Sequence, residues 1–236
     1  MSINRKIRSL ALLIILGSGA CISAANPPAD WAKLGRYAQA DSLLLTEPQS
    51  ARKVVFIGNS ITDNWAKMRP EFFSSNAFVG RGISGQTSSQ MLVRFRQDVI
   101  NLQPIAVVIN AGTNDVAENT GPYMPAFTQG NIMSMVELAR AAGITPILST
   151  VLPAAAFRWR PEVTDAPEKI SALNEWIRTY AAQQEIPLID YYKVMVADDE
   201  RSLNPAMTKD GVHPLADAYE VMEQAAIPII RSKVNN

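Results

Sequence analysis

KVVFIGNSIT, residues 53–62, is the stretch on which the fold turns. Val54, Val55, Phe56 and Ile57 form a continuous apolar run that closes on Gly58. A run this short, without alternation, suits a strand buried on both faces, as in a parallel sheet. Ser60 comes two residues after the strand, where the chain must turn. Four further runs of the same kind follow, at 77–80, 105–110, 145–151 and 186–190. Between them the apolar residues recur at helical spacing. Segment 88–102 carries Met91, Leu92, Phe95 and Val99, segment 131–142 stops at Gly143, and segment 167–184 carries Ile170, Leu173, Trp176, Ile177 and Tyr180. A last helix is predicted over 214–231, with Pro228 expected to bend or break it. Strands alternating with helices imply βαβ units around a parallel sheet, hence an α/β fold.

In such sheets ligands bind beyond the carboxyl ends of the strands. The polar residues of this chain cluster there. Asn59-Ser60 follows the first run, 81–86 the second and Thr113-Asn114-Asp115 the third, while Arg158-Trp159-Arg160 lies a little past the fourth. His213 is the one histidine of the chain, and it stands in Asp210-Gly-Val-His213. Asp210, three residues earlier across a glycine, can accept from one ring N–H and leave the other nitrogen free to take a proton. Ser60 is the natural nucleophile for that base. A serine in its place also serves as an ordinary helix N-cap, and the short motif alone does not separate the two. Gly-x-Ser-x-Gly, the usual α/β-hydrolase elbow, is absent because position 62 is threonine. Acyl transfer also needs donors for a developing oxyanion. The Ser60 N–H, the Gly85 N–H and the Asn114 amide are the candidates, although Gly82-Ile-Ser-Gly85 also reads as a flexible loop and Gly112-Thr-Asn-Asp115 as a polar turn.

Composition narrows the partners. Lys and Arg number 22, as do Asp and Glu, with no long run of one sign, so nothing suggests nucleic-acid binding. The N-terminus is a separate object. Arg5, Lys6 and Arg8 precede a short apolar run at 10–16, and small residues end at Ser23-Ala24-Ala25. That order predicts a signal peptide over residues 1–25, too short to span a bilayer, and therefore export. Its removal leaves 19 cations against 22 anions and no cysteine. Gly19-Ala20-Cys21 also loosely resembles a lipoprotein signal with Cys21 as the lipidated residue.

Four blocks together resemble those of the SGNH hydrolases, also called GDSL esterases/lipases: Gly58-Asn-Ser-Ile-Thr62, Gly82-Ile-Ser-Gly85, Gly112-Thr-Asn-Asp115 and Asp210-Gly-Val-His213. They stand in the family's order and cover roughly residues 52–232. The resemblance implies a three-layer α/β/α sandwich with a five-stranded parallel sheet of flavodoxin-like order, occupying 52–236 after an N-terminal extension at 26–51. It implies Ser60 as nucleophile, Asp210 and His213 completing the triad, and Ser60, Gly85 and Asn114 forming the oxyanion hole. No metal or organic cofactor is required. Asn59 departs from the family, whose first block usually reads Gly-Asp-Ser. The pattern looks closest to bacterial relatives similar to platelet-activating-factor acetylhydrolase subunits and carbohydrate esterases. The expected substrate is therefore a short acyl ester, such as O-acetyl, on a carbohydrate or small molecule. The same site could instead transfer the acyl group, or survive only as a carbohydrate-binding scaffold. Trp65, Tyr123, Phe157 and Trp159 are candidate lining residues, and Arg158 and Arg160 candidate contacts to a sugar or anion.

Overall fold

A computed structural model describes residues 30–234; the predicted signal peptide and Cys21 lie outside the described residues. Five strands form one all-parallel sheet in the order β2-β1-β3-β4-β5. They are β1 (Val54–Gly58), β2 (Phe78–Gly82), β3 (Ala106–Ile109), β4 (Thr145–Ser149) and β5 (Leu188–Ile189). This is the flavodoxin-like order, and its reversal point lies between β1 and β3. Ser60 and Asn114 follow those two strands.

Alternate residues of β1 feed two different cores, as the period of a strand dictates. Val55 and Ile57 join one cluster with Met91 and Phe95 of α4 (Ser88–Asp98), Met135 of α6 (Pro125–Ala141) and Leu173 of α7 (Ala166–Gln183). Val54 and Phe56 join the other, with Trp65 of α2 (Ser60–Met68), Phe72 of α3 (Pro70–Ser75), Met195 of α8 (Tyr191–Met195) and Tyr219 of α9 (Ala216–Val234). Helices cover both faces, and the molecule is the expected three-layer sandwich.

Several elements depart from the sequence reading. The predicted final strand shrinks to two residues, because the 186–190 run is interrupted by Pro187. Helix α6 begins six residues before the segment assigned from periodicity, with Pro125 in its first turn. Pro228 neither breaks nor ends α9. It lies on the solvent face, and so does Gln224, whose carbonyl the missing N–H would have served; water can take that role. Helix α3 stands where the sequence pattern marks no element.

Residues 30–51, which include α1 (Ala38–Leu44), lie against β2, α2 and α4. Asp41 and Arg81 form a buried ion pair, and the Tyr37 hydroxyl donates to the Gly82 carbonyl. The side chains of Gln86, Gln90 and Gln97 donate to the carbonyls of Ala32, Trp31 and Leu34. Gly82 is itself a contact point. A Cβ there would lie 2.1 Å from the Asp63 nitrogen and 2.7 Å from the Asn59 carbonyl oxygen, both backbone atoms of the turn around Ser60. Backbone cannot yield as a side-chain tip does, so Gly82→Ala should cost about 3 kcal/mol. Thermal denaturation should then show the melting temperature falling by roughly 6–12 °C.

Candidate active site

Asn59, between β1 and α2, is wholly buried, and its Oδ1 accepts from the Ile61 N–H at 2.9 Å. It caps α2 as an aspartate would, which explains how the family's acid can be replaced here. The Asn59 Nδ2 has no hydrogen-bond partner among the described residues. An ionised aspartate would bring a second oxygen and a full charge to that dry position. Capping by Asn59 leaves Ser60 free for something else. Its Oγ lies 2.8 Å from His213 Nε2.

His213 is held from behind. Its Nδ1 is 2.7 Å from Asp210 Oδ2. Asp210 Oδ1 accepts from the backbone N–H groups of Val212 at 2.9 Å and His213 at 2.8 Å. Gly211, at φ +83°, permits the tight turn that makes these bonds possible. Partial burial alone would raise the Asp210 carboxyl. The His213 N–H, the imidazole and the Val212 N–H outweigh it and hold the group well below the usual carboxylate range.

Two further loops complete the rim. Gly85 sits at φ +81° with open space around its α-carbon, so backbone conformation and not crowding favours glycine there. Asn114, in the short helix α5 (Thr113–Val116), is buried and directs one amide hydrogen at the Gln86 carbonyl, 3.0 Å away. An Asn amide has two such hydrogens, so the second remains available on the cleft side. The Ser60 N–H belongs to the first turn of α2, where no helical carbonyl can reach it. Ser60, Ser84, Gly85, Asn114, Trp159 and His213, with Asn64 and Asn119, line one cleft of about 380 Å³. All five residues singled out as a chemical set in the sequence thus lie together.

The candidate aromatics divide. Trp159 is at the cleft, its ring centre 6.2 Å from that of His213 and its indole N–H donating to Asn119 Oδ1. Phe157 is buried behind it, 5.3 Å away. Trp65 is not in the site. It stacks between Phe72 and Tyr219 in the core, with its N–H on Glu223; being five residues along α2 from Ser60, it faces inward. Tyr123 lines a separate cavity of about 270 Å³ beside Asp115, Met124 and Phe127. Burial and the Asp115 charge push its phenol up to about 12. Arg158 and Arg160 do not line the cleft; they donate to the carbonyls of Lys209 and Glu118.

Asp115, which closes the Gly112-Thr-Asn-Asp115 block, organises the neighbouring helix. Its carboxylate accepts from the Ser88 N–H, the Ser88 hydroxyl and the Thr128 hydroxyl. Burial pushes the group above its ordinary range, against the pull of those donors.

Known proteins are similar to this chain in sequence and in fold. The model of the GDSL-like Lipase/Acylhydrolase family matches residues 56–221. A solved structure from Bacteroides fragilis, described as an acylhydrolase, is 55% identical, with a TM-score of 0.84 over 86% of this chain and 98% of that one. A GDSL-like lipase from Bacteroides thetaiotaomicron is 52% identical, with a TM-score of 0.83 over 85% of this chain and 98% of its own. The esterase TesA of Pseudomonas aeruginosa is 26% identical over 202 residues, 80% of this chain and 92% of that protein. With a family match across most of its length, on a sheet of the same order, the chain belongs to the GDSL-like lipases and acylhydrolases and is a carboxylic-ester hydrolase.

Proposed function

We propose that the protein is an exported serine esterase that removes short acyl groups, such as acetyl, from carbohydrates or small alcohols. The observation that carries the reading is the hydrogen-bonded line Asp210–His213–Ser60 opening onto a cleft that also presents Gly85 and Asn114. The Ser60 hydroxyl attacks the ester carbonyl carbon while His213 Nε2 takes its proton. Asp210 fixes the tautomer and stabilises the imidazolium. The carbonyl oxygen, now an anion, is received by the Ser60 N–H, the Gly85 N–H and the free Asn114 amide hydrogen. The imidazolium returns the proton to the leaving alcohol, and an acyl-Ser60 remains. Water, deprotonated by His213, attacks the acyl carbon; the bond to Ser60 Oγ breaks, the imidazolium returns the proton to Oγ, and the acid leaves.

A modest cleft with one half-exposed indole suits a small acyl group on an alcohol that can lie flat. Trp159 offers that face, and the amides of Asn64 and Asn119 offer polar contacts beside it. Export rests on the basic and apolar pattern of residues 1–25. Mass analysis of the secreted chain should find an N-terminus near residue 26, or a lipid on Cys21.

The test is turnover of p-nitrophenyl esters of graded chain length and of acetylated oligosaccharides, with Ser60→Ala as the blank. Activity should be highest on the shortest esters; a rising rate toward long chains would overturn the substrate assignment. Asn114→Ala should cost on the order of 10²–10³ in kcat, as for loss of one oxyanion donor, and an undiminished rate would remove Asn114 from the mechanism. Product masses with and without a sugar acceptor separate hydrolysis from acyl transfer.

A further inference from the structure

Arg94 has no exposed surface at all. It sits on α4, at a position where helical periodicity alone would allow a solvated charge. Its guanidinium donates in three directions: from Nε to the Gln86 side-chain oxygen at 2.6 Å, from Nη2 to the Gly58 carbonyl at 2.9 Å, and from Nη1 to Asp98 at 2.8 Å. Removing a cation and its partner from water is costly before their attraction is counted, so a buried pair is weak evidence for stability. Its placement says more. Gly58 ends the strand that delivers Ser60. Gln86 follows Gly85 directly, and its own carbonyl receives the Asn114 amide. The far end of the Gln86 side chain is pinned in turn to the Ala32 carbonyl at 2.7 Å. One planar fork therefore touches, directly or through one residue, every loop that carries an oxyanion donor.

We propose that Arg94, acting through Gln86, is a positioning residue that holds the end of β1, the Gly82–Gln86 loop and the Asn114 amide in one frame, so that the three oxyanion donors converge. The inference rests on the serine-esterase reading above and adds residues to it that touch no substrate. A point charge could neutralise Asp98, but only a rigid fork with several N–H groups can hold a carbonyl and an amide oxygen at once.

The experiment is a double-mutant cycle between Arg94→Met and Asn114→Ala, read as kcat and KM on p-nitrophenyl acetate. Methionine keeps much of the apolar volume and removes both the fork and the charge. Arg94→Met should lower kcat about 30-fold or more while KM changes less than about threefold, the mark of an interaction made mainly in the transition state. In that background Asn114→Ala should cost less than about tenfold instead of 10²–10³, because its amide is already misplaced. Should Arg94→Met fail to fold, Arg94→Lys takes its place, retaining the charge beside Asp98 without the fork, and the same non-additivity is expected. Losses that simply multiply, or an undiminished kcat in the folded variant, overturn the positioning role. A costless Asn114→Ala in the parent enzyme would instead overturn the oxyanion assignment itself, so the two failures are distinct.

Discussion

Ser60→Ala is expected to lower kcat by on the order of 10⁶ and to leave the protein unlabelled by a fluorophosphonate. The magnitude follows from how the parts cooperate. The hydroxyl at 2.8 Å from His213 Nε2 is the sole acceptor of the acyl group in the proposed cycle, and without it the imidazole has no acyl-enzyme to form or to hydrolyse. His213→Ala should therefore cost about as much as Ser60→Ala, and the double variant little more than either. Residual turnover above the uncatalysed rate should come from the oxyanion donors, which neither change disturbs. Measured kcat values for the two single variants and the double one decide the matter: losses that multiply would mean that the two side chains work independently. Persistent labelling in Ser60→Ala would direct attention to another serine of the cleft, with Ser84 the nearest in sequence to the oxyanion loop.

The second large effect belongs to Asp210. Asp210→Asn should lower kcat about 10⁴-fold with little change in folding. An asparagine oxygen can still accept from the Val212 and His213 N–H groups, so the loop keeps its shape. The amide NH₂ then faces His213 Nδ1 and donates where the carboxylate accepted. That forces the proton onto Nε2, and the ring can no longer receive one from Ser60. Circular dichroism should match the parent and melting should fall only modestly, as the charge-assisted part of those bonds is lost, while kcat collapses; unfolding of the variant would reassign Asp210 to holding the loop. The carboxyl's depressed pKa fixes the sign of its pH dependence. A lowered carboxyl contributes stability above its unfolded value of about 3.9 and loses it only as pH falls through the lower folded value. An acid limb of the rate profile above about pH 4 therefore reports some group other than Asp210.

The sheet was legible because its strands are buried on both faces: Val54–Ile57 and Ala106–Ile109 can be little else. The site was legible because a parallel sheet gathers the residues that follow its strands onto one rim, so Ser60, Gly85 and Asn114 could be paired with a solitary histidine before any distance was known. What escaped notice depends on contacts that no spacing encodes. Trp65 reads as a substrate platform until α9 is known to stack on it. Arg94 reads as one more charge on α4, and Gln86 as loop polarity, until Arg94 is seen to donate both to the Gln86 side chain and to the Gly58 carbonyl. Asp115 shows the same failing, since its partners Ser88 and Thr128 come from two other helices.

The bracing of α2 by α9 carries one more consequence. Tyr219 donates to the Ile61 carbonyl and stacks on Trp65, while Arg69 pairs with Glu220 and Glu223. The proposed base thus reaches the serine from the segment just before α9, 153 residues further along the chain. Such distant closures are slow to form. Until α9 docks on α2, the proposed base and nucleophile stand on segments with no brace between them, so the contact between Ser60 and His213 should be among the later ones to form.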